Sequence, residues 1–452
     1  MPKLNVSGYR GIWGQDLNEQ IAFEFGIAFA KFIKNSGGKE ILVGRDARKT
    51  GGVIFESLQT AFKNEGLEIE YAGIIPTPSM LFLIKKLSFD GGVMITASHN
   101  PPEYNGLKFI NKNGLFATQT EIEEITKNKE DLSPQTLPVY SPEARPQEFP
   151  DNAKFRKLHI DEIFKNIDVS LIKSKKFKVA LDPINSAGSI IAQELLKELS
   201  CEVYAINTEQ NGEFAHEPEP LPKNLAQIGK AVLDSKSIVG FAQDPDADRL
   251  VIVNEKGEVL NEEYTLALSV KSVLSKNPGD IVINMSTSRV NEDIAKSYGG
   301  KTYRSKIGEA NVVEMIQATN SIMGGEGGGG VIYPKINTAR DSLVGIALTL
   351  ELLARENKNI SEITESLPQY VMKKDKITFT GKLDELYENL KITFKDATLN
   401  TLDGVRFDWA DSSWIHVRPS NTEPVVRIIG EAKEENRINT IFDQVRLTLN
   451  SQ

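Results

Sequence analysis

Three short stretches carry residue types that could do chemistry together. The first is Thr96-Ala97-Ser98-His99-Asn100-Pro101, at the end of the apolar run 92–95. Small and polar residues where a strand should stop place Ser98 on a tight turn, expected to face solvent. His99 and Asn100 offer a proton carrier and a hydrogen-bonding amide. Pro101-Pro102 then stops both helix and central strand. The second stretch is Asp244-Pro245-Asp246-Ala247-Asp248-Arg249. In an extended chain residues i, i+2 and i+4 share a face. Three carboxylates so presented suit a hard cation, Mg²⁺ or Ca²⁺, and not a soft metal. The third is Arg418-Pro419-Ser420-Asn421-Thr422-Glu423-Pro424, with Arg427 nearby. A guanidinium grips phosphate bidentately, and hydroxyls and turn amides fill the remaining oxygens. A serine that can carry a group, a cation to activate it and an anion receptor together describe phosphoryl transfer.

Other motifs add to this reading or compete with it. Lys108, just after the serine stretch, supplies a cation suited to a phosphorylated Ser98. Residues 324–330 hold six glycines around Glu326. Such a loop lets backbone approach a ligand closely or move as a hinge, and its carboxylate could accept bonds from sugar hydroxyls. Asp244, Asp246, Asp248 and Glu255 also fall at EF-hand positions 1, 3, 5 and 12. Arg249 stands where that loop needs glycine, and the flanks 238–241 and 250–253 have strand character. Residues 295–302 nearly fit a P-loop, but Ala295 replaces the first glycine and the stretch ends a helix instead of starting one. No Gly-x-Ser-x-Gly surrounds Ser98, so acyl transfer is disfavoured. His159, His216 and His416 are scattered and fit structural roles.

These stretches need elements to position them. Leu17, Ile21, Phe25, Ala28 and Phe32 recur at helical spacing up to Gly37-Gly38. A buried strand follows at 40–44, then a helix at 54–64, a strand at 67–72 and a helix at 79–86. This alternation implies parallel strands with helices on their faces. Five prolines between 134 and 150 predict a stiff linker. A second α/β unit opens with a strand at 177–181 and a turn at 182–188, and a third has a strand at 281–283. The last 80 or so residues give strands at 414–417 and 425–429 and a closing helix at 434–449. The expected domains are 1–150, 151–257, 258–368 and 369–452: three α/β domains with mixed sheets and a smaller α+β domain. Ligands of open α/β sheets bind beyond the carboxyl ends of the strands, so a cleft at the domain junctions is expected.

The totals bound the function. At 452 residues the chain holds roughly three or four domains. Its 53 basic and 62 acidic residues give a net charge of −9. That balance offers no nucleic-acid surface, so any positive field must be local. A single cysteine, Cys201, excludes an internal disulfide framework and a cysteine-rich zinc site. No signal-peptide core opens the chain and no apolar run approaches 18 residues. A soluble cytoplasmic protein is expected.

The combination resembles the α-D-phosphohexomutase family, enzymes that interconvert the 1- and 6-phosphates of hexoses. Residues 96–101 resemble the family's phosphoserine loop, 244–249 its metal loop and 418–424 its phosphate-binding loop. Tyr9-Arg10-Gly11, Gly44-Arg45-Asp46-Ala47-Arg48 and Thr77-Pro78 match its first domain. The resemblance implies a phosphoserine at Ser98, with Mg²⁺ held by Ser98, Asp244, Asp246 and Asp248. It implies a hexose 1,6-bisphosphate intermediate and activator. Arg10, His99, Lys108 and Arg249 would stabilise charge or move protons. Glu326, Arg418, Ser420, Asn421, Thr422 and Arg427 would bind the substrate. Where relatives carry Gly-Glu-x-Ser-Gly-His, this chain has glycine at 328 and 330. That form resembles the phosphoglucosamine mutase branch, implying glucosamine 6-phosphate as substrate, with phosphomannomutase/phosphoglucomutase activity as the alternative. Lys306-Ile307-Gly308-Glu309 departs too, where relatives often carry His or Asp at 309. Partners are small sugar phosphates, with no nucleic acid and no membrane; a homodimer stays open. A metal-dependent phosphatase and a non-catalytic sugar-phosphate binder are the rivals.

Overall fold

The computed structural model describes residues 4–132, 152–379, 381–419 and 425–450. The expected proline-rich linker at 134–150 lies outside them, as do Ser420, Asn421 and Thr422. The chain packs as two compact units, Met1–Thr265 with Gly329–Ser361, and Leu266–Gly328 with Glu362–Gln452.

The first unit contains two sheets of the same design. In one, strands Glu68–Ile74, Glu40–Arg45 and Gly91–Ile95 run parallel; Tyr104–Asn111 then returns antiparallel to Gly91–Ile95, and Tyr9–Ile12 closes the edge. In the other, Glu202–Ala205, Lys178–Asp182 and Val239–Gln243 are parallel, and Leu250–Asn254 returns antiparallel. The sheets are therefore mixed, where alternation alone implies parallel strands. A tight connection can reverse a chain but cannot make a parallel crossover, and the short links at 96–103 and 244–249 are of that kind. Both chemistry-bearing loops thus occupy one topological position, the turn from the last parallel strand into its antiparallel return.

Helices cover these sheets. Helix Glu19–Asn35 is capped by Asn18, whose side chain accepts from Ile21 N. It buries Phe25 and Phe29 against Phe109, with the Phe29 and Phe109 rings 4.9 Å apart. Helix Thr77–Leu87 starts with Pro78 in its first turn, where the missing N–H is harmless. Its Thr77 therefore stands at a fixed helix start.

In the second unit, Ile281–Asn284 lies between Thr302–Ser305 and Met323–Glu326, all parallel. The glycine-rich stretch is thus half strand, a correction to the expected loop. Gly324 and Gly325 pair with Val282 and Ile283, and Glu326 is the last strand residue. A Cβ on Gly324 would meet Val282 O at 2.5 Å and Ile316 Cδ1 at 2.9 Å, so packing overrides the poor strand propensity of glycine. The C-terminal sheet is fully antiparallel, in the order Val371–Thr378, Val425–Ala432, Trp414–Pro419, Val405–Asp408, Thr398–Asn400. Helix Glu435–Asn450 packs on it.

Candidate active site

The serine loop is built around one buried guanidinium. Arg48 donates to Ser98 O and Asn100 O at 2.7 Å, to Pro101 O at 2.6 Å and to Tyr104 O at 2.9 Å. Its Nε bonds Asp46 Oδ2 at 3.0 Å, and the Phe214 ring covers it. Asp46 in turn accepts from Thr96 Oγ1, which accepts from Ser98 N at 2.8 Å. So clamped, Ser98 takes a φ of 52°, left-handed backbone that a non-glycine residue rarely adopts. The turn is as expected, but Ser98 is only 1% exposed and does not face solvent. The apolar strand before it carries it inward, and its Oγ points at His99 Nδ1, 3.2 Å away, and at Asp244 Oδ2, 3.5 Å away.

The three aspartates converge through a turn, not along an extended strand. Ala247 has a φ of 53°, and Asp248 N and Arg249 N both donate to Asp244 Oδ1 at 3.1 Å. Ser186 Oγ donates to Pro245 O at 2.6 Å and accepts from Ala47 N at 3.3 Å. One hydroxyl thereby ties this loop to the clamp under Ser98. All three carboxylates are buried, and one oxygen from each lies within 4.8 Å of the others. Scaffold groups hold one oxygen of each pair. Asp246 Oδ2 takes Thr77 Oγ1 and Lys108 Nζ, both at 2.6 Å, and Asp248 Oδ2 takes Arg340 Nη2 at 2.5 Å. Asp246 Oδ1 and Asp248 Oδ1 are buried and accept no hydrogen bond among the described residues. Buried carboxylate oxygens grouped in this way, two of them without a hydrogen bond, suit a hard divalent cation.

The charges agree with that fit. Burial and the carboxylates of Asp248 and Asp246 push the Asp244 carboxyl well above its ordinary range. Burial also opposes ionisation of Asp246, but the Lys108 ammonium, the Thr77 hydroxyl and Arg10 together outweigh it and hold Asp246 below its usual range. Arg249, burial, Arg10 and Arg340 together push His99 well below 6.5, so its imidazole is neutral at neutral pH. Arg10 donates to Asn100 Oδ1 at 3.1 Å. Lys108 sits on Asp246 and not on Ser98 itself. Glu255, the twelfth EF-hand position, accepts instead from Ser361, and strands flank the aspartate loop on both sides. In the second unit, residues 295–302 end helix Val290–Ser297, so nothing there is built as a P-loop.

The second unit carries the candidate substrate groups. Glu326 is buried and accepts from Asn284 Nδ2 and Gly308 N, both at 2.9 Å. Arg418 is directly opposite Arg427 on the neighbouring strand, and Arg427 is opposite Lys376 on the next. Cross-strand partners have Cβ atoms about 5 Å apart, and like charges there repel. The register places three cations on one face of the sheet, a candidate anion site. Asp403 links the two regions, accepting from Ile307 N at 2.9 Å and from Arg418 Nε at 3.3 Å.

The phosphoglucomutase/phosphomannomutase alpha/beta/alpha domains I, II and III match residues 1–135, 157–257 and 261–370, and the C-terminal domain matches 371–448. A phosphoglucomutase/phosphomannomutase of Thermococcus kodakarensis is 33% identical over 446 residues, covering 95% of this chain and 94% of the relative. The chain belongs to the phosphoglucomutase/phosphomannomutase family. A phosphoglucosamine/phosphogalactosamine mutase of Sulfurisphaera tokodaii is 32% identical over 457 residues, 99% of each protein. A family protein from Burkholderia thailandensis, solved by crystallography, superimposes with a TM-score of 0.84 at 26% identity, covering 98% of this chain and 96% of that one.

Several contacts in this family member join residues whose partners no motif announces. Thr77, Asp46 and Arg48 lie in stretches that support the resemblance, yet no local pattern announces what they bond. Arg340, Asp403 and Lys376 carry no motif at all. The partner of Thr77 is 169 residues away, and that of Arg340 is 92 away.

Proposed function

We propose that the protein is a phosphohexomutase that interconverts hexose 6-phosphate and hexose 1-phosphate through a phosphoserine at Ser98. The observation that carries this is Ser98 Oγ, buried in a left-handed turn and 3.5 Å from a trio of buried aspartates. In the transfer step the P–O bond to Ser98 breaks and a P–O bond to the free hexose hydroxyl forms, giving a hexose 1,6-bisphosphate. The opposite phosphate then returns to Ser98. Ser98, Asp244, Asp246 and Asp248 would hold Mg²⁺, which supplies charge stabilisation to the transferring phosphoryl. Lys108 keeps Asp246 ionised and, with Thr77, holds its Oδ2 in place. Arg10 and Arg249 add positive charge beside the aspartates, and neutral His99 takes the proton of the attacking hexose hydroxyl and gives it to the departing Ser98 Oγ, in reverse on the return step. Burial excludes water, which would otherwise accept the phosphoryl. Arg418 and Arg427, with Ser420, Asn421 and Thr422, bind the non-reacting phosphate, and Glu326 accepts bonds from sugar hydroxyls.

Glucosamine phosphate is the preferred substrate in this reading. The glycine form of the sugar stretch and the name of the Sulfurisphaera relative support it. Glucose and mannose phosphates are the second reading, which the name of the Thermococcus relative favours. Among the described residues no helix is long and apolar enough to cross a membrane, and we place the enzyme in the cytoplasm with its sugar-phosphate substrates.

The test is ³¹P NMR with Mg²⁺ and a trace of hexose 1,6-bisphosphate, offering glucosamine, glucose and mannose 6-phosphates in turn. Fastest conversion of the glucosamine compound is expected. Release of free phosphate alone would replace the mutase with a phosphatase. Ser98→Ala should fold normally and lose both phosphoprotein and turnover; normal activity in it removes the phosphoserine mechanism.

A further inference from the structure

Gly330 opens the short strand Gly330–Ile332, and its φ is not in the left-handed region. Its backbone would therefore accept a side chain. The obstacle is one residue: a Cβ there would collide with Arg340, whose Cδ, Cγ and Cβ are its three nearest atoms. Gly329 beside it differs, with a φ of 83° and a collision against the backbone of Leu250. Arg340 thus threads over Gly330, and its guanidinium ends 2.5 Å from Asp248 Oδ2. The Arg340 side chain is 15% exposed and that of Asp248 is 1%. With Oδ2 engaged, Asp248 Oδ1 is buried without a hydrogen bond, 3.9 Å from Arg249 Nε, and an oxygen of Asp248 lies within 4.8 Å of oxygens of Asp244 and Asp246.

We propose that Arg340 is a positioning residue of the phosphoryl-transfer site, admitted by the missing side chain at Gly330, and that it turns Asp248 Oδ1 toward a divalent cation. Its role in transfer rests on the phosphohexomutase reading; its role in cation binding does not. A partner that fixes a carboxylate ligand is commonly worth 10–100-fold in metal affinity or activity. An alanine at 330 would displace the same guanidinium without touching any ligand.

The experiment uses the full-length protein with Mn²⁺ as probe, its free concentration read by electron paramagnetic resonance. Arg340→Ala should weaken Mn²⁺ binding roughly 10–100-fold, and Gly330→Ala should do the same. The double variant should be no weaker than either single one, because both remove one interaction. Arg340→Lys, which keeps a cation over the glycine, should recover part of the affinity, and it decides the matter if Arg340→Ala does not fold. For turnover, kcat should fall while KM for the sugar phosphate stays put. Wild-type Mn²⁺ affinity in a folded Arg340→Ala protein overturns the proposal, as does multiplication of the two single losses in the double variant. Should the wild type show no mutase turnover while the Mn²⁺ pattern holds, the phosphohexomutase reading fails alone and the orientation of Asp248 stands.

Discussion

Ser98 keeps a left-handed backbone because Arg48 fastens its carbonyl and Thr96 fastens its amide. Such a conformation costs of order 1–3 kcal/mol and survives only where its surroundings over-determine it. Arg48 is therefore the residue most exposed to a conservative-looking change. A lysine keeps the charge that compensates Asp46, but an ammonium has three donors, and Arg48 serves four carbonyls and a carboxylate. At least two buried carbonyls would lose a charge-assisted bond worth roughly 1.5–3 kcal/mol each. Arg48→Lys should release residues 98–104 locally, with a cost of about 3 kcal/mol or more. Hydrogen exchange of that segment should accelerate accordingly; unchanged protection would show that the clamp is dispensable. At this scale the sequence discloses Ser98 and the three aspartates because each set is contiguous. It does not disclose Arg48, whose carbonyl partners begin 50 residues further on.

The elements turn these contacts into a site. Both loops of the first unit leave the last parallel strand of a sheet and return antiparallel, so each is short and anchored at both ends. The helix and strand periodicities of the first 130 residues disclose most of that framework. The antiparallel returns escape them, because pairing direction depends on connection length and not on side-chain pattern. The glycine stretch misleads for a related reason: glycine reads as loop until a neighbouring strand leaves no room for a Cβ. Gly324 offers a direct check. Overpacking a tight position costs typically 1–3 kcal/mol, and here the obstruction is the Val282 carbonyl together with Ile316. Gly324→Ala should destabilise this sheet by about that amount and shift Glu326, two residues on. The observable is faster amide exchange in strand Ile281–Asn284, with weaker binding of the sugar phosphate. A variant with wild-type exchange would mean the strand can move aside at no cost.

On the scale of the whole molecule, a net charge of −9 coexists with local groups of cations at Arg10, Arg249 and Arg340 in one unit and at Arg418, Arg427 and Lys376 in the other. Composition discloses the total. It cannot disclose the clusters, because Lys376 joins Arg427 only through strand register. The same packing sets how stability depends on pH. His416 is fully buried, accepting from Ser286 Oγ at Nδ1 and donating from Nε2 to the Asp403 carbonyl. Burial depresses its pKa, and Arg406 and Arg418 add to that against the opposing pull of Asp403, leaving it at about 4 where 6.5 is ordinary. Between those values the unfolded chain binds a proton that the folded chain refuses. The stabilisation is complete above pH 6.5 and is lost as pH falls toward 4. At 1.36 kcal/mol per unit it amounts to at most about 3 kcal/mol. Glutamine has no such titration and can keep one of the two hydrogen bonds. The acid limb of unfolding between pH 6.5 and 4 should therefore be shallower in His416→Gln than in the wild type. Trp409 and Trp414, two of the three tryptophans, lie in the same C-terminal segment and report its unfolding by fluorescence. Parallel acid limbs in the two proteins would mean that His416 is protonated alike in the folded and unfolded chain, and that another buried group governs the acid sensitivity.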